Sequence, residues 1–344
     1  MVSKQAVLVT GGAGYIGAHC CKALHDAGYL PVSYDNLSSG HEAFVRWGPL
    51  VVGDIADSRE VAETIMVHGV AAVMHFAAFS LVGESVVDPQ KYYQNNLAGT
   101  LGLLQAMRET NVLKLVFSST GAVYGQADSK PIAEEAAGRP INPYGTTKWM
   151  IEQILVDYRR AYGLNSFSMR YFNACGADAS GLIGELRNPE THLIPRALMA
   201  LQGHVSDFAV FGDDYQTPDG TAVRDYIHVN DLAVAHIAAL KQLLAGNAGA
   251  VLNLGTGTGY SVRQILDAVL AETGQMLPLT INPRRAGDPA ALVADPSASK
   301  LVLGFEPQHS SLPEIVRSAW CWHQKAHPRV INRREPAGIR GNAR

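Results

Sequence analysis

The sequence is short of charge. Asp, Glu, Lys and Arg make up 17% of its 344 residues, while 47% are hydrophobic; soluble proteins usually carry roughly 25% charged residues. That balance excludes a disordered or solvating chain. A broad basic surface is missing as well. The formal net charge is −3, and residues 324–344 hold six Lys or Arg against one Glu, a net +5, so the first 323 residues carry −8. A nucleic-acid partner is therefore not expected, and any bound phosphate must be held by local devices. The four cysteines, Cys20, Cys21, Cys175 and Cys321, form no CxxC pair and no zinc-spaced set with histidine. They are expected as buried or half-buried thiols of a reducing compartment, with no metal. Long apolar runs are absent too: the most apolar window, 61–83, is broken by Glu63, His68, Gly69 and His75, which excludes a membrane span. The opening MVSKQAVLVTGG has none of the three regions of a signal peptide, so the expected location is the cytoplasm.

Glycine, at 33 residues, is plentiful. At roughly 150 residues per domain, the length suits one large α/β domain with additions or two domains sharing a border. Short β-branched runs at 6–10, 31–34, 50–53, 72–77, 115–119 and 166–171 alternate with helical patterns starting near Gly14, Ser58, Tyr92 and Pro143. This alternation predicts an α/β fold, a Rossmann-type doubly wound parallel sheet. A seventh run, 251–254, follows a long helix over 229–244 and is expected to return to that sheet. The first unit is thus discontinuous, 1–173 plus 224–258. The remainder, 174–223 plus 259–325, forms a smaller α/β unit rich in loop signals at 178–188 and 212–220, and loops of that length usually bind something. Residues 326–344 are expected as a disordered basic tail.

The first strand runs into Gly11-Gly12-Ala13-Gly14-Tyr15-Ile16-Gly17 and then a helix. Glycines at 11, 14 and 17 permit a tight turn, a close approach of backbone to a pyrophosphate, and packing of helix on strand. The helix N-terminus then holds the phosphates without Lys or Arg. The second strand ends at Asp35, placed to accept from the adenosine ribose hydroxyls and to repel a 2′-phosphate, which favours NAD over NADP. Asp54, after the third strand, is expected near the adenine. Tyr144 and Lys148 lie four apart after Pro143, on one face of a helix. An ammonium beside a phenol favours the phenolate, so Tyr144 is a candidate base. The fifth strand ends in Ser118-Ser119-Thr120, hydroxyls at the sheet edge where ligands of such folds bind.

The glycine loop, Thr120 and the Tyr-x-x-x-Lys pair resemble the extended short-chain dehydrogenase/reductase family. Further stretches follow the order and spacing of its UDP-glucose 4-epimerases: His75-Phe76-Ala77-Ala78, Val123-Tyr124-Gly125, Arg170-Tyr171-Phe172-Asn173, Val223 through Val229, Asn253-Leu254-Gly255 and Arg284 through Asp288. The likeness spans about residues 5 to 322. It implies an NAD-dependent nucleotide-sugar epimerase with Thr120, Tyr144 and Lys148 as catalytic residues. It adds Tyr15, Ile16, Asn36, Ile55, Phe76, Ala77, Asn95 and Tyr171 to the cofactor contacts. At Ser80 the family can carry a Lys that touches the nicotinamide ribose. For the UDP-sugar it implies Asn173, Leu193, Phe211, Arg224, Tyr226, Arg285 and Asp288. Arg224 and Arg285 suit a diphosphate, Phe211 suits stacking on uracil, and Asp288 suits ribose hydroxyls. His75 and His228 read as structural hydrogen-bonders.

The implied reaction begins with Tyr144 taking the proton of the sugar 4-hydroxyl while Thr120 holds the oxygen. Lys148 fixes the nicotinamide ribose and lowers the Tyr144 pKa. A nucleotide-sugar 4,6-dehydratase would need an Asp-Glu pair where this chain has Gly121 and Ala122. A UDP-uronate or UDP-pentose 4-epimerase differs only at C6 of the sugar, and a non-catalytic NAD sensor would not need the Tyr/Lys pair. Leu292 occupies a position tied in the family to acceptance of N-acetylated sugars, and its size predicts weak use of UDP-GlcNAc. The resemblance further implies a homodimer through helices near 91–108 and 144–162.

Overall fold

The computed structural model describes residues 4–126, 131–285 and 288–328. As expected, the architecture is α/β and Rossmann-type. Strands β1 (Ala6–Thr10), β2 (Leu30–Asp35), β3 (Leu50–Val52), β4 (Val70–His75), β5 (Lys114–Thr120) and β6 (Asn165–Tyr171) join with a late strand, Val251–Leu254, in a seven-stranded sheet. Every pairing in it is parallel. The order, edge to edge, is Val251–Leu254, β6, β5, β4, β1, β2, β3.

Such strands are buried on both faces and read as continuous apolar runs. Within β1, Val7 and Val9 pack into one layer with Cys20, Cys21 and Leu24 of helix α1 (Tyr15–Asp26). Ala6 and Leu8 face the other layer, with Val61 and Ile65 of α2 (Ser58–His68).

Three local expectations are corrected. The fourth strand was placed at 72–77 but spans Val70–His75; Phe76 N–H still donates to Thr10 O at 2.9 Å, and the chain then turns away against Gly11. A helix α3 (Val82–Val87) was not foreseen, because Leu81 at its N-cap supplies no capping side chain. The helix expected near Tyr92 begins earlier, as α4 (Pro89–Tyr92), with Asp88 Oδ1 accepting from Lys91 N at 3.2 Å. It continues through a π turn at Tyr93–Ala98 into α5 (Gly99–Glu109).

Helix α6 (Pro143–Tyr162) starts where expected. Asn142 caps it, Oδ1 accepting from Gly145 N at 2.8 Å, Pro143 sits in its first turn, and Gly163 ends it in the left-handed region.

Beyond β6 lie β7 (Asn173–Cys175), α7 (Leu193–Leu201), β8 (Ala209–Phe211), β9 (Val223–His228), α8 (Val229–Leu244), β10 (Val251–Leu254), β11 (Gly259–Ser261), α9 (Val262–Thr273), β12 (Thr280–Asn282), β13 (Ala291–Leu292), α10 (Ser297–Leu303) and α11 (Leu312–Ala326). Strand β9 pairs with β7, β11 and β13, while β8 pairs with β12. The crossing between units expected at residue 224 therefore falls inside β9. Side chains of α7, α9 and α11, among them Ile194, Leu198, Ile265, Val269, Ile315 and Val316, make a separate core. The last helix includes Ala326, and residues 329–344 of the expected tail lie outside the described residues. Among the described residues no helix is long and apolar enough to cross a membrane. All four cysteines are free, with Cys20, Cys21 and Cys175 buried; Cys321 is exposed, contrary to expectation.

Candidate active site

The glycine loop joins β1 to α1, and its three glycines do different work. Gly11 has φ +72°, and a Cβ there would lie 2.6 Å from Ala77 N; a Cβ on Gly17 would lie 2.1 Å from Gly11 O. Both must be bare for the protein's own packing. At Gly14 the nearest atom to an added Cβ is Gly11 O at 3.2 Å, so the missing side chain there fits a ligand drawn close to the backbone. Gly14 is also the N-cap of α1 and offers no side-chain acceptor, which leaves the first helical N–H groups for an anion. These residues therefore fit a dinucleotide pyrophosphate. Gly17→Ala is expected to destabilise the fold by about 1–3 kcal/mol through overpacking. Gly14→Ala should leave urea unfolding of the ligand-free protein nearly unchanged and weaken NAD binding about tenfold or more, a loss of roughly 1.4 kcal/mol, measurable by calorimetry.

Asp35 is buried beside this loop, its Oδ2 accepting from Ala13 N at 3.0 Å and its Oδ1 from Leu37 N at 2.9 Å. Burial raises its carboxyl above the usual range, against the pull of those two N–H groups. Asn36 Nδ2 donates to Asp54 Oδ2 at 3.0 Å, and Asp54 Oδ1 accepts from Ala56 N. Ile55 is buried. Asp54 and Asn95 line one cleft together with Phe79, Lys91 and Gln94. The Tyr15 hydroxyl donates to Gly176 O at 2.6 Å, so its side chain ties α1 to the end of β7 and leaves its backbone for a ligand. Ile16 is partly buried against the α1 layer of the core, as is Phe76, whose ring lies 5.0 Å from that of His236; Ala77 packs on the opposite layer. His75 bonds the hydroxyls of Thr10 at 2.7 Å and Thr100 at 2.9 Å, and burial lowers its pKa to about 3. His228 Nδ1 caps α8 through Asn230 N. Both histidines have the structural roles expected.

Thr120, Tyr144 and Lys148 converge at the carboxyl end of β5. Tyr144 is half-buried, and its ring stands edge-on to Tyr92 at 6.5 Å. Thr120 Oγ1 also accepts from Ala122 N at 3.1 Å. Lys148 Nζ donates to Ser118 O at 2.8 Å and lies 4.8 Å from the Phe117 ring centroid. Ser118 Oγ bonds the hydroxyl of Tyr171. Burial raises the Tyr144 phenol above its ordinary value, opposed by the Thr120 hydrogen bond and the charge of Arg187. Burial also lowers Lys148 to about 7, opposed by Glu152.

On the nucleotide-sugar side, Asn173, Leu193 and Tyr226 line one cavity with Glu185, His192 and His323. Asn173 stands in register with Tyr226 across β7 and β9. Arg224 Nη2 pairs with Asp288 Oδ1 at 2.5 Å, so two residues with separate expected roles hold each other. The Arg285 guanidinium lies 4.1 Å from the Phe211 ring centroid. Leu292 pairs in register with Arg224 and packs near Tyr124 and Phe172.

Two groups escaped the sequence reading. Glu152 lies four residues after Lys148, a spacing that placed it on the same face of α6. It accepts from Ser119 Oγ and from Arg170 Nε and Nη2, and Arg170 Nη1 donates to the Tyr124 hydroxyl at 2.9 Å. The second group is Glu185, Arg187, Glu190 and His192, in the stretch between β7 and α7, for which no spacing signal exists. Glu185, Glu190 and His192 bring ligand-type atoms within 4.8 Å of one another. Their acceptors are filled by protein donors: Glu185 Oε1 takes Arg187 Nε and His192 Nδ1, both at 2.8 Å, and Glu190 Oε1 takes two backbone N–H groups. Burial opposes charge here, yet His192 and Arg187 hold Glu185 below the usual carboxylate range while Glu185 holds His192 above the usual imidazole range.

Residues 7–255 match the model of the NAD dependent epimerase/dehydratase family. The chain is 50% identical over 326 residues to a UDP-glucose 4-epimerase of Rhizobium leguminosarum bv. trifolii, covering 95% of this chain and 99% of that one. Its fold superposes with a TM-score of 0.91 on UDP-glucose 4-epimerase from Brucella ovis in complex with NAD, at 51% identity, covering 92% of this chain and 98% of that one. A TM-score of 0.91 is also found, at 41% identity and with 94% and 98% covered, for UDP-glucose 4-epimerase from Stenotrophomonas maltophila with bound NAD and formylated UDP-arabinopyranose.

Proposed function

The chain belongs to the NAD dependent epimerase/dehydratase family, and from that premise we propose that it is a UDP-glucose 4-epimerase interconverting UDP-galactose and UDP-glucose. It is an NAD-dependent isomerase. The observation that carries the reading is the convergence of Thr120, at the end of β5, with Tyr144 and Lys148 of α6, whose Nζ donates to Ser118 O of that strand, at the edge of a parallel sheet and followed by Gly121 and Ala122. Tyr144 takes the proton of the sugar 4-hydroxyl and Thr120 holds that oxygen as the proton leaves. The chemistry NAD supplies when bound is a hydride acceptor that gives its hydride back, so a 4-keto sugar is made and reduced within one cycle. Lys148, one donor spent on Ser118 O, has two more for the ribose beside the reacting carbon. With no carboxyl at 121 or 122, elimination of water has no catalyst and epimerisation remains.

We place the cofactor on 1–173 plus 224–258 and the UDP-sugar on 174–223 plus 259–325. The cofactor set is Gly11, Gly14, Tyr15, Ile16, Gly17, Asp35, Asn36, Asp54, Ile55, Phe76, Ala77, Asn95, Tyr144, Lys148 and Tyr171. The sugar-nucleotide set is Thr120, Asn173, Leu193, Phe211, Arg224, Tyr226, Arg285, Asp288 and Leu292. For Arg224 and Asp288 this requires their mutual pair to open or to be shared with the ligand. A homodimer through α5 and α6 is supported by the exposed Leu101, Val156 and Tyr162 on those helices, and a reducing cytoplasm by four free thiols.

The test is purified protein and UDP-galactose with no added NAD, followed by NMR. UDP-glucose should appear. A 4-keto-6-deoxy product would mean a dehydratase, and an unchanged spectrum would mean a binder without turnover. UDP-GlcNAc should turn over at least about tenfold more slowly, the usual scale for a misfit in an apolar pocket; equal kcat/KM on both sugars would remove Leu292 from the selectivity argument.

A further inference from the structure

Two stretches of chain face each other on the nucleotide-sugar side, and three contacts join them. One stretch runs from Phe211 at the end of β8 to Arg224 in β9, and the other runs from the end of β12 to Asp288. The Arg285 guanidinium lies 4.1 Å from the Phe211 ring centroid, and Asp288 pairs with Arg224. Between these two contacts along the first stretch, Arg284 makes the third. Its Nε donates to Asp214 Oδ1 at 2.6 Å, its Nη2 donates to Asp214 O, and its guanidinium lies 4.5 Å from the Tyr215 ring centroid. The first two contacts are made by residues assigned above to the UDP-sugar, so they open or are shared when it binds. The third is made by residues with no such assignment. We propose that Arg284 is a positioning residue of the nucleotide site: gripping Asp214 and lying over Tyr215, it holds the two walls together while Phe211, Arg224, Arg285 and Asp288 turn to the ligand. The inference rests on the epimerase reading above and adds a residue to it.

The surroundings leave this task to a side chain. Strand β12 is exposed along its three residues, and among the described residues it pairs only with β8. The backbone join between the two stretches ends with Gly212 N–H donating to Asn282 O at 2.8 Å. The loop that Arg284 grips is firm in itself, with Tyr215 N donating to Gly220 O at 2.8 Å and Thr217 Oγ1 to Thr221 O at 2.7 Å. Gly212 leaves room for the grip: its φ is +83°, and a Cβ there would lie 2.6 Å from Tyr215 Cε2 and 2.7 Å from Arg284 Cγ. A planar guanidinium can reach a carboxylate and a carbonyl together while lying over a ring, which an ammonium cannot do. The ion pair is open to solvent, Arg284 being 42% and Asp214 71% exposed, so it adds little to global stability. A positioning role and a merely structural one therefore have different readouts.

The nucleotide is remote from the reacting C4 carbon, so a weaker hold on it is felt alike before and in the transition state and shows in KM. Arg284→Gln is expected to raise the KM for UDP-galactose, and the Kd for UDP measured by calorimetry, about tenfold. Its kcat and urea-unfolding midpoint should stay near those of the parent. Arg284→Lys keeps the charge without the fork and should cost roughly threefold in the same two constants. Asp214→Asn should weaken UDP in the same direction and, combined with Arg284→Gln, should add nothing further, because both remove one contact. A Kd for UDP within about twofold of the parent's in Arg284→Gln overturns the proposal whatever happens to the midpoint, and so does a fall in kcat with KM unmoved. If Arg284→Gln does not fold, Asp214→Asn alone decides in the same way. A parent protein that binds UDP but leaves UDP-galactose unchanged would instead sink the epimerase reading, while the UDP titrations still report on Arg284.

Discussion

Tyr144→Phe is expected to lower kcat by roughly 100- to 10,000-fold, the usual weight of a positioned proton acceptor, and to leave NAD in the purified protein. Only the hydroxyl is removed, and Thr120 keeps the Ala122 N–H. The ring still packs edge-on to Tyr92, so the helix that carries it should not move. The loss therefore belongs in kcat, with KM for UDP-galactose and the unfolding midpoint near those of the parent. Measured initial rates, bound-nucleotide absorbance and urea unfolding separate these outcomes. Near-normal turnover would remove Tyr144 from the chemistry.

The largest stability effect is expected at Glu152. Its carboxylate is buried with the Arg170 guanidinium, Nε and Nη2 both directed at it, and it also takes the Ser119 hydroxyl at 2.5 Å. Removing one partner of such a pair leaves a buried charge uncompensated, at a cost of about 3–5 kcal/mol. Glu152→Ala should show that loss in urea unfolding. Replacing both partners with apolar residues, Glu152→Leu together with Arg170→Met, should recover much of it, since no orphaned charge remains. If the single variant unfolds at the parent's midpoint, the pair does not hold this part of the fold. The bond to Ser119 adds a kinetic consequence: the residue before Thr120 loses its tether, so kcat of Glu152→Ala should fall as well.

Strands buried on both faces were legible because their apolar runs are continuous, and Val251–Leu254 could be assigned to the large sheet from such a run following a long helix. Strands of two or three residues, such as Ala291–Leu292, carry too little pattern, and their pairing depends on chain brought in from far away. The same contrast holds in the site. Tyr144 and Lys148 showed themselves through helical spacing, and Glu152 continues that spacing. Arg187 had no such mark, because its position follows from a segment folding back over Ser80, 107 residues earlier. The Arg224–Asp288 pair was hidden similarly: 64 residues separate the partners, and they belong to segments brought together by the pairing of β9 with β13.

The place of β10 at the edge of the large sheet also governs the order in which the molecule can be completed. Its four residues pair with Ser168 through Tyr171, some 80 residues earlier in the chain. As the chain is synthesised, β6 presents an unpaired row of backbone donors and acceptors until Leu254 has emerged, and an open edge of that kind invites pairing with another chain. Closing so long a loop before any contact rewards it makes this step slow. The Tyr171 end of β6 is the last part of the sheet to be sealed, so the ground on which Ser118 and Lys148 rest becomes fixed only when nearly three quarters of the chain is in place.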